Sequence, residues 1–219
     1  MLQGPRRLEG LNMFDARMRN LKRYLTGGAA TRIGRYLGPA PITLGALVLG
    51  LASAVSVAAG LRGTALIFWV LNRFVDGLDG EVARTRGESS DFGGYIDMMS
   101  DVVVYASIPL ALAHAHADAA VVGALLAMMA AFYVNITSWS YLSALLEKRL
   151  SPGDGVPRKD VTSIEMPWGL IEGAETIVIY GILIVFPSIL RETALVAAAA
   201  RLISTVQRVV WAYRMLRLR

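Results

Sequence analysis

Apolar residues in this chain gather into long runs instead of the short alternations of a soluble core. A helix needs about 20 mostly apolar residues to cross a bilayer. Pro41–Gly60 is one such run. Thr64–Asp76 opens a second, which continues with polar insertions to Ala83. Asp97–His114 begins with acids and closes apolar. Ala117–Leu146 is long enough to project beyond the membrane, and Trp168–Pro187 and Ala194–Tyr213 complete the series. The pattern predicts an all-α integral membrane protein with six transmembrane helices. The first run begins some 40 residues in and has no clear cleavage site, so it is not read as a signal peptide.

Residues Leu11–Leu25 carry a different pattern. Leu11, Phe14, Met18, Leu21 and Leu25 recur at helical spacing, with Arg and Lys between them. This predicts an N-terminal amphipathic helix lying in the headgroup layer against anionic lipid. Packing of the same helix on the bundle is the plainer reading. The domain organisation expected is a basic cytoplasmic segment over residues 1–35 and a six-helix membrane domain over 36–219.

Basic residues set the orientation. Arg6, Arg7, Arg17, Arg19, Lys22, Arg23, Arg32 and Arg35 precede the first run. Arg84 and Arg86 follow the second; Lys148, Arg149, Arg158 and Lys159 follow the fourth; Arg214, Arg217 and Arg219 end the chain. The opposite loops hold only Arg62 and Arg191. Both termini are therefore expected on the cytoplasmic side of the cell membrane.

Composition narrows the chemistry. Of 219 residues, 55% are hydrophobic and only 18% charged, with a mean hydropathy of +0.49. With no Cys, disulfides, thiolate metal sites and cysteine nucleophiles are excluded. A net charge of +5 is small for a nucleic-acid binder, and no nucleic-acid partner is expected.

The acids are placed unevenly. Asp76, Asp79, Asp97 and Asp101 lie inside the second and third runs, where an ionisable group costs roughly 2.5–3.5 kcal/mol on insertion scales. Asp76, Asp79, Gly80 and Ala83 share one helical face, as do Gly93, Asp97 and Asp101. A short cytoplasmic turn makes the two helices antiparallel neighbours, so the four carboxylates can converge. Asp76 precedes Arg84 by eight residues, about 12 Å along a helix, which sets the cluster just inside the interface. Oxygen ligands without Cys or His favour Mg²⁺ or Mn²⁺, with Ca²⁺ open, and a cation pair on shared carboxylates is a clamp for phosphate or pyrophosphate. A structural salt-bridge network with Arg73, Arg84 or Arg86 is the competing account, one that explains one or two acids.

Residues 76–101 read DGLDGEVARTRGESSDFGGYIDMMSD. The spacing D-x2-D-G-x2-A-R-x8-G-x3-D-x3-D resembles the signature of the CDP-alcohol phosphotransferase (CDP-alcohol phosphatidyltransferase) family. All eight positions are filled, by Asp76, Asp79, Gly80, Ala83, Arg84, Gly93, Asp97 and Asp101. The resemblance extends over residues from about 30 to 213, and its specificity lies in the motif. It implies an enzyme of phospholipid synthesis that moves a phosphatidyl-type group from a CDP-linked lipid donor to a small alcohol acceptor, releasing CMP. It also implies roles. Asp76, Asp79 and Asp97 would hold two Mg²⁺ or Mn²⁺ ions, and Asp101 would neighbour the metal as the general base. Gly80, Ala83 and Arg84 would meet the CDP moiety, with Ser90 placing a hydroxyl on the nucleotide.

Other positions follow from the same comparison. Family members often enter the first span through a Pro-Asn-x-x-Thr-like segment that meets the nucleotide; here it reads Pro39-Ala40-Pro41-Ile42-Thr43, with Thr43 kept and the Asn replaced. Thr43 as a plain cap fits equally well. Members that use phosphorylated inositol tend to carry basic residues near the end of span four, where Ser140–Leu146 is neutral. Glu172 and Glu175 stand one turn apart and can line an acceptor pocket or pair with Arg208. Arg208, on one face with Arg201, is a candidate for an acceptor phosphate or a carboxylate. Asn135-Ile136-Thr137 matches a glycosylation sequon but lies inside a span. Inositol, inositol phosphate, glycerol 3-phosphate and serine all remain open as acceptors. Homodimers are common in the family, and a homodimer stays open here. The competing function is a non-enzymatic divalent-cation transporter using the same acids. That reading needs polar groups continuing to the far side, and the far halves of spans one, three and five are apolar.

Overall fold

The computed structural model describes residue 28, residues 30–150 and residues 173–217. The amphipathic segment expected at Leu11–Leu25, and Glu172, lie outside the described residues. Among those described, the chain is helical throughout, without strands. The helices are α1 Pro39–Ala58, α2 Arg62–Arg86, α3 Asp91–Ala115, α4 Ala119–Leu150, α5 Gly173–Val185 and α6 Leu190–Arg217, with a 3-10 turn at Pro187–Ile189 before α6.

Local chemistry sets the boundaries. Pro39 opens α1 at a position where its missing N–H costs nothing. Gly60, at φ +75°, makes the turn into α2. Gly87, at φ +66°, ends α2 in a Schellman motif: Glu88 N donates to Ala83 O at 2.9 Å, and Gly87 N to Arg84 O at 3.3 Å. Ser90 caps α3, its Oγ accepting from Gly93 N at 3.1 Å. α2 and α3 are thereby joined by a tight turn over residues 87–90.

Among the described residues, four stretches are long and apolar enough to cross a membrane by length and composition: Pro39–Ala58, Asp91–Ala115, Ala119–Lys148 and Pro187–Arg217. Between 33% and 44% of their apolar windows is buried within the protein, so most of that surface is left for another apolar phase. Val48, Val55, Val178, Val196 and Val206 are each more than 60% exposed along these helices and α5. α5 is a shorter apolar helix of 13 residues. α2 carries more charge, with Arg73 near its middle and Asp76, Asp79 and Glu81 in its second half.

Two compact units form. Of the described residues, the first comprises those up to 56 together with 63–107, and the second 57–62 together with those from 108 onward. In the first, Ser53 Oγ donates to Ala65 O at 2.8 Å and Asn72 Nδ2 to Ala46 O at 2.7 Å, tying α1 to α2. Gly50 lets α1 approach α3: a Cβ there would collide with the Val104 side chain and come within 3.1 Å of Asn72 Nδ2. Ala30, Ile42, Leu78 and Val82 form a small apolar cluster beside the C-terminal half of α2.

In the second unit, α4 packs along α6. Buried Ala194, Ala197 and Ala198 on α6, with Ala124 and Ala131 on α4, keep side-chain volume low. Arg208 is buried and donates from one guanidinium nitrogen to Asn135 O at 3.0 Å and Asn135 Oδ1 at 2.7 Å. The sequon asparagine is thus an interior polar partner. Arg201 donates to Thr176 Oγ1 at 2.6 Å and lies 4.8 Å over the Phe132 ring.

Candidate active site

The site lies in the first unit. α2 presents Asp76, Asp79, Gly80, Ala83 and Arg84, α3 presents Gly93, Asp97 and Asp101, and the start of α1 presents Thr43. Unbroken helix through both motif halves realises the one-face spacing expected from the sequence. Asp76 lies within electrostatic reach of Asp79, Asp97 and Asp101.

A cavity of about 450 Å³ opens between these elements. Thr43 lines it from the start of α1, Asp79, Gly80, Ala83 and Arg84 from α2, and Ser90, Gly93 and Asp97 from the α2–α3 turn and α3. Asp79 is buried, at 5% exposure, and both its oxygens are engaged. Thr43 Oγ1 donates to Oδ2 at 2.7 Å, and Gly80 N donates to Oδ1 at 2.6 Å. Thr43 Oγ1 also lies 3.2 Å from Pro39 O, so its side chain ties the α1 entry to the motif. A Cβ on Gly80 would meet only the Arg84 guanidinium, at 3.5 Å and beyond, so the missing side chain there enlarges the cavity and is not demanded by packing. Arg84 is exposed at the cavity and donates to Glu81 Oε2 at 2.7 Å. The Ser90 hydroxyl, expected on a nucleotide, is at the cavity while its oxygen caps α3. Arg86 clasps the turn, bonding Glu88 at 2.7 Å and Gly34 O at 2.5 Å. Its hydrogen bond to Glu88 raises the guanidinium above its ordinary pKa.

Asp76 and Asp101 do not line this cavity. They face Arg73, a residue that the sequence offered only as a salt-bridge partner. Arg73 donates from one nitrogen to Asp101 Oδ1 at 2.8 Å and to Tyr105 Oη at 3.1 Å, and the same nitrogen lies 3.7 Å from Asp76 Oδ2. Asp76 and Asp101 are thus ion-paired with Arg73, whereas Asp79 and Asp97 line the cavity. Trp69, Asn72 and Tyr105, which form the seat of Arg73, were not singled out in sequence. The available signal was an arginine one turn before Asp76 inside an apolar run, where a cation demands a partner.

The donor set is carboxylate oxygen without sulfur or imidazole, which fits a hard divalent cation. Among the described residues, however, no three acidic or imidazole side chains converge in metal-ligating geometry. Glu175, the described member of the α5 acid pair, is exposed on the first turn of α5.

A profile of the CDP-alcohol phosphatidyltransferase family matches residues 36–200. The inner membrane protein YnjF of Escherichia coli (strain K12) is 34% identical over 152 residues, 68% of this chain and 70% of that protein. A bifunctional IPC transferase and DIPP synthase of Thermococcus kodakarensis is 33% identical over 99 residues, 43% of this chain but 23% of that protein. Among solved structures, the Mycobacterium tuberculosis phosphatidylinositol phosphate synthase PgsA1 with CDP-DAG bound aligns with a TM-score of 0.65 at 24% identity, covering 84% of this chain and 93% of that one. The same synthase in complex with manganese and citrate aligns at 0.64 and 23% identity, covering 88% of each chain. At these identities the structural likeness is one of fold.

Proposed function

The chain belongs to the CDP-alcohol phosphatidyltransferase family, and from that premise we propose that it transfers a phosphatidyl-type group from a CDP-linked lipid to a small alcohol, with CMP leaving. One observation carries the reading. Six of the eight motif residues, Asp79, Gly80, Ala83, Arg84, Gly93 and Asp97, line a single cavity together with Thr43 and Ser90.

The cavity suits a nucleoside diphosphate. Arg84 brings a guanidinium to one wall. The capped N-terminus of α3 brings the positive end of a helix dipole to another, and both favour phosphate. The open floor at Gly80 lets the donor approach backbone. Two Mg²⁺ or Mn²⁺ ions on Asp76, Asp79 and Asp97, with Asp101 beside them, supply neutralisation of pyrophosphate charge when bound; the manganese complex of PgsA1 is consistent with this. Asp101 accepts the proton of the acceptor hydroxyl as its oxygen bonds to the lipid-bearing phosphorus. The phosphorus–oxygen bond to CMP breaks, and its electron pair leaves with CMP, so no covalent enzyme intermediate is needed.

The membrane arrangement follows from the same premise. α2 and α5 join the four long apolar helices as spans, making six, with residues 36–219 as the membrane domain and 1–35 as a basic cytoplasmic segment. The Lys and Arg bias supports a cytoplasmic active site, and the inner-membrane relative supports the cell membrane. Donor tails then lie in the bilayer. The name of the structural relative PgsA1, a phosphatidylinositol phosphate synthase, puts inositol phosphate first among acceptors to try, ahead of inositol, glycerol 3-phosphate and serine. Purified protein with CDP-diacylglycerol, Mg²⁺ or Mn²⁺ and each acceptor in turn tests the reading. It predicts CMP release that depends on one acceptor, and no release with any of them contradicts it.

A further inference from the structure

Arg73 is seated by groups that have no part in phosphate chemistry. Its guanidinium carbon lies 4.9 Å from the Trp69 ring centroid and 4.9 Å from that of Tyr105, two rings set edge to face at 74°. Its Nε donates to Asn72 Oδ1 at 2.7 Å, and Asn72 is itself anchored on Ala46 O at 2.7 Å. The side chain is 7% exposed. Its position is thus fixed before any carboxylate is considered. From that seat one nitrogen reaches Asp101 Oδ1 on α3 at 2.8 Å and stands 3.7 Å from Asp76 Oδ2 on α2. The carboxylates therefore divide into a cavity pair, Asp79 and Asp97, and a pair that already shares a protein cation.

We infer that Arg73 is a resident counter-cation of the carboxylate cluster, a positioning residue that holds Asp101 and competes with a divalent cation for the edge between Asp76 and Asp101. The inference rests on the metal reading of these acids given above. A cation within a few ångströms of a divalent ion repels it strongly in a partly dry site. Arg73 therefore keeps Asp101 from being drawn wholly into metal ligation and weakens divalent binding on that edge. Its removal strengthens metal binding while turnover falls. Structural damage does the opposite, because a loosened cluster binds metal less well.

The test is equilibrium Mn²⁺ binding to the purified full chain without substrate, read from the EPR signal of free Mn²⁺. Arg73→Gln lowers the Mn²⁺ Kd by about tenfold, and Arg73→Lys, which keeps the charge, returns it to within about twofold of wild type. Arg73→Met keeps an unbranched stem beside the Trp69 and Tyr105 rings without the charge, and lowers the Kd by about tenfold as well; it carries the test should Arg73→Gln fail to fold. A folded Arg73→Gln protein with an unchanged or higher Kd overturns the inference, as does an unchanged or higher Kd in Arg73→Met when Arg73→Gln does not fold. Asp97→Asn separates the two claims. If wild type binds Mn²⁺ no better than Asp97→Asn, the metal reading fails and takes this inference with it. If Asp97→Asn loses binding and Arg73→Gln gains none, only the inference fails.

Discussion

Thr43 and Asp79 stand 36 positions apart and meet in a buried hydrogen bond of 2.7 Å, hydroxyl to carboxylate. The bond fixes one oxygen of a motif aspartate from the entry of α1, while Gly80 N fixes the other. Thr43→Val keeps the shape and removes the donor. Loss of a hydrogen bond to a charged group costs about 1.5–3 kcal/mol. The variant is expected to remain folded in detergent and to lose about tenfold or more in kcat/KM for CMP release, with a smaller change in melting temperature. A kcat/KM equal to wild type removes Thr43 from the site.

Metal dependence is expected to be absolute. Chelation with EDTA abolishes CMP release, and Mg²⁺ or Mn²⁺ restores it, because the four aspartates need cations to accept a pyrophosphate beside them. Activity that survives exhaustive chelation contradicts the assignment of Asp76, Asp79 and Asp97.

Gly50 tests the packing that brings α1 to α3. Its Cβ has no room beside Val104, and overpacking of this kind costs about 1–3 kcal/mol. Gly50→Ala is expected to lower the unfolding temperature. Val104→Ala in the same chain recovers part of the loss. Failure of the double variant to recover any of it contradicts the contact.

The second unit holds a buried guanidinium against one asparagine. Asn135→Leu deletes the Oδ1 acceptor of Arg208 and leaves only the backbone oxygen of that residue. The loss is expected at about 1.5–3 kcal/mol, as for other hydrogen bonds to charged groups. It is read as a lowered melting temperature in detergent. An unchanged melting temperature removes the pair from the stability of the unit.

Helix positions were legible because apolar runs of span length leave few other ways to satisfy the backbone in lipid. α1, α4 and α6 fall within a few residues of the runs that announced them, and Gly87 and Ser90 mark the turn that joins the motif halves. The cavity was legible through the eight-position spacing, which places Asp79, Gly80, Ala83 and Arg84 on one helix and Gly93 and Asp97 on the next. The split within the acids was not. Spacing puts Asp97 and Asp101 on one face, yet it is Arg73, seated by Trp69 and Tyr105, that claims Asp101. That seat depends on side chains 32 and 36 residues apart along the chain, and helical periodicity carries no information about such a meeting. The role of Asn135 was hidden for the same reason, since its partner Arg208 lies 73 positions away.

CMP release from CDP-diacylglycerol by purified wild type and Asp97→Asn, with Mn²⁺ and the acceptor panel, is the most direct measurement. The account predicts turnover by wild type with one acceptor and a loss of about a thousandfold or more in Asp97→Asn, in line with removal of a group that anchors transition-state charge. Full turnover in Asp97→Asn, or no CMP from wild type with any acceptor, would contradict it.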